Sequence, residues 1–362
     1  MLLCIGIASA HENDTALGND NAQSCELKNL IDSCEDNGVV NLEEKTYYLE
    51  SANETHIVLN KSVTVEGIEG KTVIDGNNTS LMLDVNEKVK KADDGPKVIS
   101  FWRDGYEFKY LGKNVTFKNI TFKDLKLVTW HEMTFENCRF INSTFTSYEY
   151  ENTFENCSFD KSTIEIALFY GFDIYNDYSR IIGCEFHQSL ITFKGLYTPN
   201  YIEVIGGTPF RITNKLDIRD SKFSSSNISL SQYNVTIANS IFNNSNIESG
   251  SSIYTITDTD FTNPKIGLGY SIISFSKSNL TNPRLHFSAG YFSNGCAVSM
   301  DDVILKNCEM DGSISYGSRR GALKIQNSRI VNSTLYTIYS DVLINNSMFD
   351  KSTIEFFFAD AD

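Results

Sequence analysis

The chain has 362 residues, 41% of them hydrophobic, and a formal net charge of -15 at pH 7. The apolar residues suffice for a long core. The acidic balance, with no basic run along the chain, excludes a surface that binds nucleic acid through its phosphates, because such contacts need clustered Lys and Arg. Phe, Ile and Thr are abundant while proline is scarce, and this composition favours β-strands.

Residues 1–10 have the character of a signal peptide. An apolar run is followed by the sequence Ala-Ser-Ala, which fits a cleavage site of small residues. No basic residues precede the run, so two interpretations stay open: a secretory signal whose start is missing, or a simple apolar leader. We predict a partial signal peptide over residues 1–10 and a linker over residues 11–23.

No later segment contains the roughly 20 consecutive apolar residues that a membrane-spanning helix needs, so we predict no transmembrane segment. Together with the leader, this favours a protein that is secreted or displayed at the cell surface. Sequences of the form Asn-x-Ser/Thr are frequent, and we expect some exposed copies to be glycosylated in such a protein.

The first predicted element is a helix over residues 24–36, with Ser24 as its N-cap. Its apolar residues share one face at helical spacing: Leu27, Leu30, Ile31 and Cys34. Such a helix would cover the start of a stack of strands and protect that edge from pairing with another chain. Residues 37–116 follow as short apolar runs separated by turn residues, which predicts irregular first coils.

From residue 117 to residue 362, large apolar residues recur with a period of about 19 residues, and within a period they are five residues apart. The four most regular copies, in residues 218–285, define three columns: Ile218, Ile237, Ile256 and Phe275; Phe223, Phe242, Phe261 and Leu280; Ile228, Ile247, Ile266 and Leu285. A fixed period of this size indicates a repeat architecture. About eleven copies follow the pattern, and the copy with Leu305, Met310 and Ile314 is slightly out of step.

The spacing of five residues determines how each copy folds. On one straight strand, residues five apart point to opposite sides. Both can point inward only if the chain turns a corner between them, so each copy is a coil with short sides. The sequence therefore predicts an all-β, single-stranded parallel β-helix (a solenoid) with an N-terminal capping helix, rather than a doubly wound sheet.

Two stretches near the start carry a resemblance to a known family: NKSVTVEG at residues 60–67 and KTVIDGN at residues 71–77. With later turns such as FENCRF at residues 135–140, they resemble the right-handed β-helix adhesin-like proteins of methanogenic archaea, in the pectate-lyase-like superfamily. The resemblance covers nearly the whole chain after Ala10 and implies a right-handed helix. The spacing of five also resembles pentapeptide-repeat proteins, whose helix is squarer, so the cross-section stays open.

A polar column lies between the first and second apolar columns: Asn119, Asn137, Asn156, Gly183, Asp220, Asn239, Asp258, Lys277, Asn307, Asn327 and Asn346. One interpretation is a row of metal-binding oxygens. We favour a ladder of turns, because Asn tolerates a left-handed backbone and its amide can bond to the equivalent Asn of the next coil.

Four of the eight cysteines fall in the column of small residues that follows: Cys138, Cys157, Cys184 and Cys308. Ser fills most other positions of this column, so we expect buried thiols that take the place of Ser. A disulfide between Cys138 and Cys157 on neighbouring coils stays open. No spacing of Cys and His indicates zinc, and we predict neither a metal nor a cofactor.

Catalytic constellations are weak. A glycosidase needs two carboxylates about 5–9.5 Å apart, and the best candidates are Asp173 with Asp177, Asp258 with Asp260, and Asp301 with Asp302. None of the five histidines has a partner that the sequence indicates, so we expect isolated surface or turn histidines.

The interruptions of the repeat carry the predicted binding site. The chain lengthens after the third column in residues 164–181, 191–218 and 285–305, so these loops should leave the coil at one corner. They are rich in aromatic residues, as is the segment 98–110, and aromatic rings stack on sugars and anchor protein interfaces. The candidate ligand-binding residues are Trp102, Tyr106, Tyr170, Tyr175, Tyr178, Tyr197, Tyr201 and Tyr291. The alternative is that these rings pack back onto the coil as small satellite cores.

These features favour a non-catalytic, adhesin-like protein that presents an aromatic flank to a glycan or to a surface protein of a partner cell. The regular stretch 218–285 would be structural. The alternative is a polysaccharide lyase or glycoside hydrolase, as the superfamily resemblance implies. A third hypothesis, implied by the pentapeptide-repeat resemblance, is an acidic protein that mimics DNA.

Overall fold

The computed structural model describes residues 21–49, 55–59, 61–84, 100–103, 106–109, 114–129, 132–148, 151–167, 178–194, 214–250, 252–269, 271–289, 297–314, 321–338 and 340–357. They form one helix and 39 strands. The chain divides into two compact units, residues 1–172 and 173–362, and each is described by itself.

Each coil consists of three short strands that form three faces, numbered here in chain order. In one coil of the second unit these are Lys215–Arg219, Lys222–Ser224 and Asn227–Ser231. The corners between them are Asp220 and Ser225, both with a φ of 52°. A single residue in the left-handed region reverses the inward and outward alternation of the strand, which explains why inward residues are five apart.

The first unit contains five coils. Its first-face strands are Gly38–Asn41, Val63–Glu66, Asn114–Lys118, Glu132–Glu136 and Asn152–Glu155. Its second-face strands are Thr46–Tyr48, Arg139–Ile141 and Ser158–Asp160. Its third-face strands are Thr55–Val58, Thr144–Ser147 and Thr163–Ala167. Two long strands, Val73–Asp84 and Thr121–Thr129, run across both of these faces.

The second unit contains eight coils. Its first-face strands are Tyr178–Ile182, Lys215–Arg219, Asn234–Ala238, Ile253–Thr257, Ile272–Ser276, Ala297–Asp301, Gly321–Gln326 and Ser340–Asn345. Its second-face strands are Glu185–His187, Lys222–Ser224, Ile241–Asn243, Asp260–Thr262, Asn279–Thr281, Ile304–Lys306, Arg329–Val331 and Met348–Asp350. Its third-face strands are Leu190–Lys194, Asn227–Ser231, Asn246–Gly250, Lys265–Gly269, Arg284–Ala289, Glu309–Ile314, Thr334–Ile338 and Thr353–Phe357.

Within each unit, every strand of a face pairs in parallel with the equivalent strand of the next coil. The antiparallel pair Ser100–Arg103 and Tyr106–Lys109 lies apart from these faces. The predicted fold class, an all-β single-stranded right-handed parallel β-helix with an N-terminal helix, is confirmed, and the coil has three faces.

The helix begins and ends earlier than predicted, at Asn21–Ser33. Ser24 is its fourth residue, so it does not cap the N-terminus. Leu27 and Ile31 are buried, and the helix contacts strands Thr46–Tyr48 and Thr55–Val58 of the first coil. It therefore covers the start of the stack, as expected. The single helix of the described residues lacks the length and apolar character of a membrane span. The predicted signal peptide lies outside the described residues.

Columns of inward residues form the core. In the first unit, Phe140 stacks between Phe122 and Phe159, with ring centroids 4.9 and 4.7 Å apart. In the second unit, the rings of Phe186, Phe223, Phe242 and Phe261 stack one per coil at 4.7, 4.4 and 4.8 Å. These separations follow the spacing of the coils, so identical side chains pack face to face along each column.

The copy near residue 305 is in step with the others. Met300 pairs with Phe275 in the first column, Leu305 with Leu280 in the second and Met310 with Leu285 in the third. The prediction that Leu305 belongs to the first column is wrong by one column. The error arose because Met300 is less typical of a strand than the Ile and Phe of this column. Its place in the first column was therefore not recognised from the sequence.

Candidate functional site

The second corner carries a ladder of side-chain amides in the second unit. Four amides in succession donate from Nδ2 to the Oδ1 one coil earlier, each at 2.8 Å: Asn263 to Asn244, Asn282 to Asn263, Asn307 to Asn282 and Asn332 to Asn307. The φ of these five residues lies between 47° and 53°. At the first corner, Asn346 donates to Asn327 in the same way at 2.8 Å. The left-handed turns predicted at the first corner are confirmed, with φ between 46° and 59° at its asparagines. The continuous amide ladder lies at the second corner, where it was not predicted.

One residue of that prediction belongs elsewhere. Asn307 lies at the second corner, and Asp302, with a φ of 57°, takes the position at the first. Cys308 follows the second corner, and its N–H donates to Ser333 Oγ at 3.0 Å. Cys308 therefore does not share a column with the other three cysteines, and the expectation that it does is wrong.

The small residue after each corner ties neighbouring coils together. Ser240 is typical: its Oγ accepts from the N–H of Ser221 at 3.2 Å and donates to the carbonyl of Ala238 at 2.8 Å. The Sγ of Cys138 similarly lies 3.4 Å from the carbonyl oxygen of Phe117. These columns satisfy buried backbone groups, which explains their Ser and Cys content.

Cys138 and Cys157 are buried thiols and form no disulfide. The two cysteines occupy the same position on neighbouring coils, which repeat about every 4.8 Å. A disulfide needs Cβ atoms about 3.8 Å apart, so this geometry keeps the thiols separate. The disulfide that the sequence left open is absent from this pair.

The predicted carboxylates that the structure describes lie at a corner or bond to asparagines of neighbouring coils. Asp258 is a first-corner residue with a φ of 49°. Asp260 accepts from Asn279 Nδ2 at 2.7 Å, and Asp301 accepts from Asn327 Nδ2 at 2.8 Å. These groups therefore bond to neighbouring coils. Asp173 and Asp177 lie outside the described residues.

The structure describes three of the eight predicted aromatic site residues. Five lie outside the described residues: Tyr170, Tyr175, Tyr197, Tyr201 and Tyr291. Trp102 and Tyr106 belong to the antiparallel pair of strands, where Trp102 pairs with Glu107. Tyr178 begins a first-face strand rather than lying in a loop, and it is 40% exposed.

Tyr178 belongs to a polar cluster on the first face. Its hydroxyl donates to Asp217 Oδ2 at 3.4 Å. Asp217, which is only 6% exposed, also accepts from Arg219 Nε at 2.8 and 2.9 Å. This hydrogen bond raises the pKa of the Arg219 guanidinium, with the charge of Asp217 adding to the effect. Arg180 packs over the Tyr178 ring, 5.6 Å from its centroid.

A groove of about 530 Å³ lies on the third face of the second unit. Its lining residues are Phe193, Ser229, Leu230, Ser231, Glu248, Ser249, Gly250 and Gly267. The groove is widely open to solvent and has a size typical of ligand sites. Most of these residues lie in the regular stretch 218–285, which we expected to be structural.

Small outward residues create this groove. One outward column of the third face runs Ser231, Gly250, Gly269, Ser288 and Ser313. The neighbouring column runs Ser229, Glu248, Gly267, His286, Asp311 and Tyr336. A Cβ atom added at Gly267 would meet no atom within 4 Å. Because Gly267 has no side chain, a trough lies along the stack between Glu248 and His286.

Three polar side chains of the groove are unpaired within the described residues. Within the described residues, the Glu248 carboxylate and the hydroxyls of Ser229 and Ser231 have no hydrogen-bond or ion-pair partner. All three are outward, since they alternate with buried residues along their strands. They can accept hydrogen bonds from a ligand, and the two serines can also donate.

Titratable residues continue the same face beyond the groove. His286 Nδ1 lies 3.5 Å from Asp311 Oδ2, and Arg284 Nε lies 3.6 Å from Glu309 Oε2 on the same two coils. His286 and Asp311 are 58% and 63% exposed. The expectation that every histidine is isolated is wrong for His286, because the partner lies 25 residues later and only the coil register brings the two together.

Within the described residues, no group of three or more His, Cys, Asp or Glu side chains is arranged to hold a metal ion. The polar groups of the groove and the pairs beside it are one carboxylate, serine hydroxyls and two solvent-exposed ion pairs. This set suits hydrogen bonding to a ligand rich in hydroxyl groups.

No family model matches the sequence, and no curated protein is similar to it. Among solved structures, the periplasmic alginate epimerase AlgG has 7% identity and a TM-score of 0.46, over 93% of this chain and 89% of that one. Tailspike protein 3 of bacteriophage CBA120 has 10% identity and a TM-score of 0.38, over 97% of this chain. The chain spans 60% of that tailspike's length. These similarities are too low to transfer an activity.

The surface protein and adhesin PfbA of Streptococcus pneumoniae is also similar, with 12% identity and a TM-score of 0.28. The match covers 89% of this chain and 91% of that protein. The function therefore has to be argued from the groove itself.

Proposed function

We propose that the protein is secreted or displayed at the cell surface and binds a linear polysaccharide along the third face of its second unit. The groove supports this proposal, because its lining includes glycines, serines and the unpaired Glu248 carboxylate. Glycine and serine allow a sugar ring to approach the backbone, and Glu248, Ser229 and Ser231 offer partners for sugar hydroxyls.

The repeat of the coil favours a polymer over a single sugar. Coils follow each other about every 4.8 Å, which is close to the length of one sugar in an extended polysaccharide. The column of small outward residues continues over five coils, from Ser231 to Ser313. Successive sugars would therefore meet equivalent positions on successive coils, and many weak contacts would add up.

The experiment fills the groove without disturbing the fold. Gly267→Gln and Gly267→Trp place a side chain where a Cβ meets no atom within 4 Å. We expect both variants to lose binding to a panel of neutral and acidic linear polysaccharides, measured by affinity electrophoresis, with the thermal midpoint unchanged. Ser274→Gln, an outward substitution on the first face, is the matched control and should bind as the parent does.

Binding that survives Gly267→Trp at full strength would place the glycan elsewhere and contradict the site. In that case the predicted aromatic residues would be the next candidates, tested by alanine at Tyr170, Tyr175, Tyr197 and Tyr201. Recovery of the native protein from the cytosol with Met1 retained would instead favour the DNA-mimic hypothesis.

Cleavage of the polysaccharide is the second candidate function. It is favoured by the His286–Asp311 pair at 3.5 Å, next to the trough, because proton transfer needs an acid or base within reach of the ligand. Both side chains are more than half exposed. New reducing ends or unsaturated sugars, lost in His286→Gln, would establish cleavage.

A further inference from the structure

A second group of polar residues lies on the first face, away from the groove. Two coils of the second unit contribute it, because Tyr178 pairs with Lys215, Arg180 with Asp217 and Ile182 with Arg219 in the parallel register. The outward positions of these strands hold three cations and one carboxylate. This is a local excess of positive charge in a chain whose net charge is -15.

Asp217 holds Arg219 in place. The carboxylate is 6% exposed, although the residues on either side of it along the outward row, Lys215 and Arg219, are exposed. Both of its oxygens accept from Arg219 Nε, at 2.8 and 2.9 Å. A guanidinium has five N–H donors, so this contact uses one of them and leaves the four donors of the two Nη atoms.

Arg180 is held by a different contact. Its guanidinium packs over the ring of Tyr178 at 5.6 Å, and the Tyr178 hydroxyl bonds to the same Asp217 at 3.4 Å. Stacking on a ring orders a guanidinium without using its N–H groups. Within the described residues, neither arginine forms another hydrogen bond or ion pair, and the charge of Asp220 also acts on Arg219.

We propose that Arg180 and Arg219 form a binding site for a single oxyanion, namely a carboxylate, sulfate or phosphate group. Two guanidinium groups at outward positions of neighbouring strands keep N–H donors that the described residues do not use. A guanidinium suits the oxygens of such a group, since it can donate two parallel bonds in fork geometry. Asp217 and Tyr178 are positioning residues: they fix the two arginines but do not contact the anion. The site lies on another face than the groove, so this proposal does not rest on the proposed function.

The test follows the arginine side chains directly. Protein labelled with ¹⁵N at arginine Nε is titrated in three arms with inorganic sulfate, inorganic phosphate and sodium glucuronate, at an ionic strength held constant with sodium chloride. We expect the Nε–H signals of Arg180 and Arg219, assigned by their loss in Arg180→Gln and Arg219→Gln, to shift and to saturate. The arm with the tightest binding identifies the group.

Variants separate a built site from general attraction. Arg180→Gln should weaken binding at least tenfold, whereas Lys222→Gln, which removes an exposed cation of the second face, should leave it unchanged. Asp217→Asn removes a negative charge, so attraction alone would tighten binding. The proposal expects weaker binding, because Arg219 loses its anchor.

Three results would overturn the proposal. They are no shift of either signal in any arm, tighter binding in Asp217→Asn, and an equal loss in Lys222→Gln and Arg180→Gln. Far-ultraviolet circular dichroism of each variant shows that the coils are intact, so that a loss of binding is not a loss of fold.

Discussion

The inside of the coil and the outer surface of its third face are built by the same coils, yet they use their side chains in opposite ways. Inside, Phe242 stacks between Phe223 and Phe261 at 4.4 and 4.8 Å, and at the corner Asn282 bonds to the coils on both sides. Outside, Glu248 has no partner among the described residues, and Gly267 leaves space.

The difference shows which positions belong to the fold. An inward or corner side chain is satisfied by its equivalents one coil away, so each change there affects neighbouring coils. The outward Glu248 of the third face has no such partner among the described residues and is available to a ligand. Regularity inside therefore does not exclude a site outside, which is why the groove lies in the most regular stretch of the chain.

The largest expected effect comes from a substitution inside the coil. Phe242→Ala removes the middle ring of the stack, and Phe242 is fully buried, so we expect a loss of about 3–5 kcal/mol in the free energy of unfolding. Urea unfolding measures it. Gly267→Gln on the outer surface is the comparison, with an expected change within about 0.5 kcal/mol. Similar losses in the two variants would contradict the distinction between the two sides.

The second prediction concerns the corner ladder. Asn282→Ala removes two amide hydrogen bonds and places alanine at a φ of 53°, so we expect a loss of about 2–3 kcal/mol. Asn282→Gly loses the same bonds but adopts this backbone freely, so its loss should be about 1 kcal/mol. Urea unfolding compares the two variants. Equal losses would mean that the ladder, not the left-handed backbone, dominates the corner.

The third prediction concerns the pH dependence of stability. Burial raises the pKa of the Cys308 thiol from 9.0 to about 12, and Glu309 adds to the shift. Between these values the unfolded chain loses a proton that the folded chain keeps. The stabilising contribution is therefore present below pH 9 and is lost as pH rises through 12, by about 1.4 kcal/mol per pH unit.

Cys308→Ser provides the control, because Ser occupies the equivalent position in most other coils. Urea unfolding at pH 8, 9.5 and 10.5 should show a steeper loss of stability for the parent than for Cys308→Ser. All other groups titrate in both proteins, so their difference isolates the thiol. Parallel curves would mean that the thiol is not shielded from solvent.

The sequence predicted much of the architecture, because the repeat acts locally. The inward columns, the corners and the small residues after them all recur at fixed spacing. The assignment of a position in one of the eleven copies therefore supports the same assignment in the others. The errors fall where a copy departs from the pattern. Met300 and Asp302 replaced the expected Ile and Asn, and the assignments of Asn307 and Cys308 moved by one column as a result.

The candidate site was harder to predict, since it depends on what is missing and on distant neighbours. Gly267 was not predicted as a site residue, because glycine has no side chain that could bind a ligand. Only the parallel register shows that it leaves a gap between Glu248 and His286. Asp311 lies 25 residues after His286, and Asp217 lies 39 residues after Tyr178, so neither pair has a local signal.

The sequence by itself determined the coil, since apolar residues five apart can both face inward only around a corner. The corner chemistry was also local, because Asn tolerates the left-handed backbone that each turn requires. Only the tertiary structure decided which outward residues stand next to each other. Each coil lies about 4.8 Å from the next but about 19 residues away in the chain, and the intervening insertions vary in length. Contacts such as those around Asp217 and the trough at Gly267 therefore exist only once the coils are stacked.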